Sequence, residues 1–256
     1  MNKPLIFITN DDGYDAKGID FLIQFMRELG DVKVVAPEYP MSGTGHAVTG
    51  RDPLRLREVY SENGYAKYAC TGTPVDCVKL GEQMVLGRKP DLLVSGINHG
   101  SNAAVNVLYS GTMAAAIEST VGGVPSIGFS LLNYSKDADF SHCKKYIQEI
   151  AKKVLENGLP QDTCLNVNIP NIPEKEIKGI KVCRQARARW LEDYEMRTDP
   201  AKKEYYWLRG SFELLEDEPD TDEWALKNNY VSVVPIHFDM TAHQNIQAIK
   251  DWDLNV

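Results

Sequence analysis

A regular alternation of short continuous apolar runs with amphipathic stripes, from Leu5 to Leu155, restricts the fold of this chain more than any other feature. Leu5-Ile6-Phe7-Ile8 has no polar interruption, as in a strand buried on both faces. After Gly18, apolar residues recur at Ile19, Leu22, Ile23, Met26 and Leu29, a helical stripe that Gly30 stops. Val32–Ala36 reads as a second strand closed by Pro37, and Leu54–Arg57 alternates like a half-exposed strand. Thr73-Pro74 pairs an N-cap with proline at the first helical position and predicts a helix to about Met84. Leu92-Leu93-Val94 and Ser126–Phe129 read as further strands, and alanine-rich Gly111–Val121 as a helix. Phe140, Cys143, Ile147, Ile150, Val154 and Leu155 form another helical stripe. Strands alternating with helices over short connections predict an α/β fold, a parallel sheet with helices on both faces. Ligands of such sheets bind beyond the carboxyl ends of the strands, so chemistry is sought there.

The second part of the chain has a different character. Sixteen of the nineteen glycines lie at or before Gly128, whereas Trp190, Trp207, Trp224 and Trp252 all follow residue 189. Arg184–Glu204 is charged and aromatic and fits neither period. Glu213–Glu223 holds seven acids and no base, and reads as a solvated loop. Tyr230–Val234 alternates like a strand, and Thr241–Val256 reads as a tail. The expectation is an α/β core over residues 1–184 and, over 185–256, an extended arm that packs on another subunit rather than an independent domain.

The net charge of −8 argues against a broad surface for nucleic-acid backbone, and no apolar run approaches a membrane span. Five widely spaced cysteines without a CxxC argue against a disulfide framework or structural zinc, and the N-terminus lacks signal-peptide architecture, so a cytoplasmic protein is expected.

Four polar clusters fall at strand ends. The first strand runs into Thr9-Asn10-Asp11-Asp12-Gly13. Adjacent carboxylates repel, and a hard divalent cation would make the pair favourable; the same run is also good turn sequence. Ser95–Asn102 follows Leu92–Val94 and supplies neutral oxygens from Asn98 and Asn102. Met41–Gly45 suits anion or metal contact, and equally a flexible loop. Tyr109-Ser110-Gly111-Thr112 enters a helix, whose N-terminus favours phosphate, although a plain N-cap has the same residues. No P-loop, GxGxxG after the first strand, GxSxG or HExxH occurs, and the histidines lack ligand spacing.

Together these segments resemble the stationary-phase survival protein SurE family, metal-dependent nucleoside monophosphate phosphatases. Ile8–Tyr14 with Gly18-Ile19 is similar to the family's opening motif, and Val34–Pro37 with Ser42-Gly43 to its second. Cys70–Cys77, Pro90–Gly100, Tyr109–Thr112 with Ala114–Ala116, and Val231–Pro235 with Asp239–His243 follow in order. Residues 185–229 match no motif. The resemblance implies a three-layer Rossmann-like core and a C-terminal β-rich arm exchanged between subunits of a homodimer or homotetramer. It implies one divalent cation per subunit, Mg²⁺ or Mn²⁺, on Asp11, Asp12, Ser42 and Asn98, and phosphate contacts from Asn102, Ser110, Gly111 and Thr112. The expected activity is hydrolysis of nucleoside 5′- and 3′-monophosphates by a metal-oriented water. Asp11 and Asp12 are the candidate catalytic residues, Asp11 as acceptor of the water proton, and His243 a possible accessory from the arm. Two alternatives stand beside this reading. One is a phosphatase with a covalent aspartyl nucleophile, which wants Asp-x-Asp where this chain has adjacent acids. The other is a nucleotide sensor without turnover.

Overall fold

Six parallel strands carry the centre of the fold, and the apolar runs are what place them there. The computed structural model describes residues 3–252 and 254. The parallel strands are β1 (Leu5–Thr9), β2 (Asp31–Pro37), β4 (Tyr65–Cys70), β5 (Leu92–His99), β6 (Ser126–Leu131) and β7 (Thr163–Ile169). Strand β3 (Leu56–Glu62) pairs antiparallel at one edge; β11 (Tyr230–His237) runs antiparallel to β7 and parallel to β8 (Gly179–Val182) at the other. The sheet order is β3-β4-β2-β1-β5-β6-β7-β11-β8.

Alternate residues of β1 separate the two faces. Ile6 and Ile8 enter the cluster formed with α1 (Lys17–Arg27) and α4 (Lys144–Asn157). Leu5 and Phe7 pack on α2 (Pro74–Met84) and α3 (Gly111–Val121). This gives the expected three layers. Thr73 caps α2 with Pro74 at its first turn, as the sequence predicts, and Asp76 completes the cap by accepting from the Thr73 amide.

Several expectations are corrected. The strand expected at Leu54–Arg57 begins at Leu56 and continues to Glu62, paired with a β4 whose mixed pattern hid it. Arg184–Glu204, which showed no period, contains β9 (Ala188–Thr198), paired with β10 (Glu204–Leu214) in a separate two-stranded sheet. Both faces of this hairpin are largely exposed, so burial imposes no apolar alternation on it. The acidic run is not simply a solvated loop: its end forms α5 (Asp222–Lys227), and Asp222 is fully buried. Of the segment after residue 184, β11 lies inside the main sheet and the hairpin outside it. The tail contains a short helix, α6 (Ile246–Lys250); its residues 253, 255 and 256, like Met1 and Asn2, lie outside the described residues.

All five cysteines are free and buried. Among the described residues no helix is long and apolar enough to cross a membrane.

Candidate active site

The central strand β1 delivers Asp11 and Asp12 beyond its carboxyl end, between β2 and β5. Asp11 is buried, and its Oδ1 accepts a hydrogen bond from the Thr112 hydroxyl. Burial, reinforced by the neighbouring charge of Asp12, raises the Asp11 carboxyl to about 6 against the pull of Thr112. Burial also raises Asp12, whose Oδ2 accepts from the His99 amide at 3.3 Å.

Strand β5 brings Asn98 to the pair through an irregularity. Its register on β6 shifts between Ser95 and Asn98, so three steps along β5 oppose two along β6. Gly96 sits there at φ +128°, where a Cβ would collide with the Phe129 carbonyl oxygen; a side chain is excluded on both counts. Asn98 Nδ2 donates to the Gly100 carbonyl at 3.0 Å, which leaves its Oδ1 available as an acceptor or ligand. Ser42 arrives on the loop after β2. That loop is tied to the site by the Met41 amide on the Asp11 carbonyl (2.7 Å) and by Gly45 on the Tyr109 carbonyl (3.2 Å). Farther on, Thr73 Oγ1 donates to the Ala47 carbonyl at 2.7 Å, so the α2 cap also holds the loop.

Ser110 caps α3 by accepting from the Met113 amide at 3.1 Å, which identifies Gly111 and Thr112 as the first turn of that helix. The N-terminus of α3 meets β1 at close range: a Cβ on Gly111 would lie 2.7 Å from Asp11 Cβ.

These groups face a cavity of about 590 Å³, within the usual range for a small-molecule site. Asp11, Ser42, Asn98, Asn102 and Ser110 line it together. Asp12 borders the group through His99, while Gly111 and Thr112 lie behind Asp11 on α3. His243 is not among the lining residues; it is exposed and hydrogen-bonded to Asp239 at 2.6 Å.

The donor set fits a hard divalent cation. A buried carboxylate, Asp11, the half-buried carboxylate of Asp12 beside it, one amide oxygen and one hydroxyl supply only oxygen; burial raises both carboxyls, and the charge of Asp12 adds to the rise at Asp11, where a cation would favour the ionised form. Beside them, Asn10 Oδ1 is buried without a hydrogen-bond partner.

Other residues at the site escaped sequence reasoning. Asn102 is fixed by a buried network: its amide donates to Asn168 Oδ1 (2.8 Å), its Nδ2 to Ser130 Oγ (2.9 Å), and its carbonyl accepts from Asn166 Nδ2 (2.8 Å). The available signal was Asn166 and Asn168 two apart in an apolar strand, hence on one face. The hairpin also lines the cavity, through Trp190, Glu192, Leu208, Arg209 and Gly210, as do Asn106, Tyr109 and Tyr134.

Comparison with known proteins finds one family along the chain. A family model described as Survival protein SurE matches residues 6–192. A protein of Flavobacterium psychrophilum named 5′-nucleotidase SurE is 55% identical over 256 residues, covering both chains completely. Another of that name from Christiangramia forsetii is 56% identical, covering 99% of this chain and 98% of the relative. The crystal structure of the SurE protein of Aquifex aeolicus superposes with a TM-score of 0.84 at 41% identity, covering 98% of this chain and all of that one.

Proposed function

The chain belongs to the SurE survival-protein family, and from that premise and the chemistry of its cavity we propose that it is a metal-dependent 5′-nucleotidase. It hydrolyses nucleoside 5′-monophosphates, and 3′-monophosphates as well, to nucleoside and inorganic phosphate. The observation that carries this reading is the convergence, in one cavity, of a carboxylate–amide–hydroxyl oxygen set with a helix N-terminus suited to phosphate.

Asp11, Asp12, Ser42 and Asn98 hold one divalent cation per subunit, Mg²⁺ or Mn²⁺. When bound, the cation supplies Lewis-acid polarisation of a phosphoryl oxygen and lowers the pKa of a bound water. The chain's own groups do the rest by positioning, which is most of what phosphoryl transfer requires. Asn102 and the α3 N-terminus at Ser110, Gly111 and Thr112 bind the phosphoryl oxygens. The attacking water forms the new P–O bond, Asp11 takes its proton, and the ester P–O bond breaks as the nucleoside oxygen leaves and is protonated. Thr112 holds the Asp11 carboxylate in place for that transfer. His243 remains an accessory that an exchanged arm would have to bring in from a second subunit. The buried free thiols suit a reducing cytoplasm, and the exposed aromatics of the hairpin suit a homodimer or homotetramer.

A phosphate-release screen over nucleoside monophosphates with Mg²⁺ and Mn²⁺ tests the reading. Asp12→Asn, with the fold checked by circular dichroism, should lose about 10²–10³-fold in metal-dependent turnover. Normal hydrolysis of AMP by a folded Asp12→Asn protein would refute the assignment.

A further inference from the structure

We propose that the β9–β10 hairpin is the nucleoside-binding wall of the cavity, with the Trp190 ring as the surface on which the base stacks. The proposal rests on the nucleotidase reading and assigns the half of the cavity that the phosphate and cation groups leave empty of function.

The pairing register supports it first. Trp190 opposes Phe212, Glu192 opposes Gly210 and Tyr194 opposes Leu208, so all six project from one face of the hairpin. Trp190, Glu192, Leu208 and Gly210 of that set line the cavity with Asp11 and Ser110, so this face brings it the apolar side chains of Trp190 and Leu208 beside the Glu192 carboxylate.

The Trp190 ring is held, yet open. Its Nε1 donates to Asn106 Oδ1 at 2.9 Å, and its edge packs on Phe212, ring centroids 5.7 Å apart at 69°. The residue nevertheless remains 40% exposed. A large aromatic surface left open in a cavity is favourable for an apolar ring to cover, because covering it removes apolar area from water.

The hairpin's attachment is specific to the phosphate end. Asn106 lies in the 3-10 turn Ala104–Tyr109 that leads directly into Ser110 and α3. One buried carboxylate, Asp222, joins that turn to the hairpin root: its Oδ2 accepts from the Ala104 amide at 2.8 Å and its Oδ1 from the Ala186 amide at 2.9 Å. Ala104 is held there at φ +51°. The distance between phosphate groups and stacking ring is thereby set by two short, fixed connections. A π-face reads every base and prefers the larger ones, so the wall predicts tolerance across bases with purines favoured over pyrimidines.

The test compares substrates with and without a base. For parent, Trp190→Ala and Trp190→Phe proteins, kcat/KM is measured for AMP, CMP and glycerol 2-phosphate. The ratio for AMP over glycerol 2-phosphate should fall about 5–150-fold in Trp190→Ala, carried by KM, and recover most of its value in Trp190→Phe, which keeps a ring. An unchanged ratio in Trp190→Ala, whether activity on both substrates persists or falls in parallel, would overturn the role of the hairpin while leaving the nucleotidase reading intact. A parent protein that releases phosphate from neither nucleotide would overturn the nucleotidase reading itself, and this assignment with it.

Discussion

A carboxylate buried in a protein needs partners, and Asp222 shows how far in sequence those partners can lie. Its oxygens accept from the amides of Ala104, Ala186 and Glu223, 118, 36 and 1 residues away. Nothing local in an acidic run distinguishes such a residue from its solvated neighbours, which is why the sequence suggested a loop. Asp222→Ala leaves the buried amides of Ala104 and Ala186 unpaired and should cost about 2–4 kcal/mol in urea unfolding, while Asp222→Asn, which keeps one acceptor oxygen, should cost less. Its neighbour Glu223 has the opposite problem. Burial first, and then the charge of Asp222, pushes its carboxyl up to about 7 from an ordinary 4.5. Between those pH values the folded protein holds a proton that the unfolded chain has lost, so stability declines as pH rises through that window. Glu223→Gln should therefore match the parent near pH 4 and exceed it by about 1–2 kcal/mol near pH 8, the full shift being discounted for partial exposure. Equal unfolding free energies at pH 8 would show that the carboxylate finds compensation in the fold.

Among the elements, strands buried on both faces and helices with one buried stripe were legible, and the largely exposed strands were not. Strands β1, β2 and β5 lie under helices on both faces and read as continuous apolar runs; α2 declared itself through Thr73 and Pro74. Asp11, Asp12, Asn98 and Ser110 stood out as candidates because they lie at the ends of such elements. Strands β9 and β10 offered no such pattern, and the wall they contribute to the cavity was missed with them. At the site, α3 comes close to the residues that follow β1 at Gly111. An alanine there favours helix but drives its Cβ against Asp11. Gly111→Ala should accordingly lower apparent cation affinity roughly tenfold or more, read by metal titration of activity, with little change in thermal midpoint of the metal-free protein. A large fall in that midpoint would mean that the contact supports the fold instead of the carboxylate.

For the whole molecule, the hairpin poses a problem of surface that one subunit does not solve. Beyond the cavity its inner face continues through Tyr194, Met196 and Tyr206, each more than half exposed. Exposed apolar residues in a row mark an interaction surface, and a second copy of the chain is the occupant proposed for it. Charge opposes that association. Residues 185–229 carry seven bases and twelve acids, a net of −5 out of −8, so approaching arms repel. Screening weakens the repulsion while leaving apolar burial intact, so self-association should strengthen from low to moderate ionic strength in sedimentation equilibrium. Met196 and Tyr206 face each other across the hairpin. Met196→Lys combined with Tyr206→Glu replaces that apolar pair by an opposite-charge pair, which preserves the hairpin while removing its adhesive face. The double variant should shift the population toward the 28.7 kDa protomer. Assembly that persists unchanged in it, or a parent that sediments as a protomer at every ionic strength, would show that this face is covered by something other than a second copy.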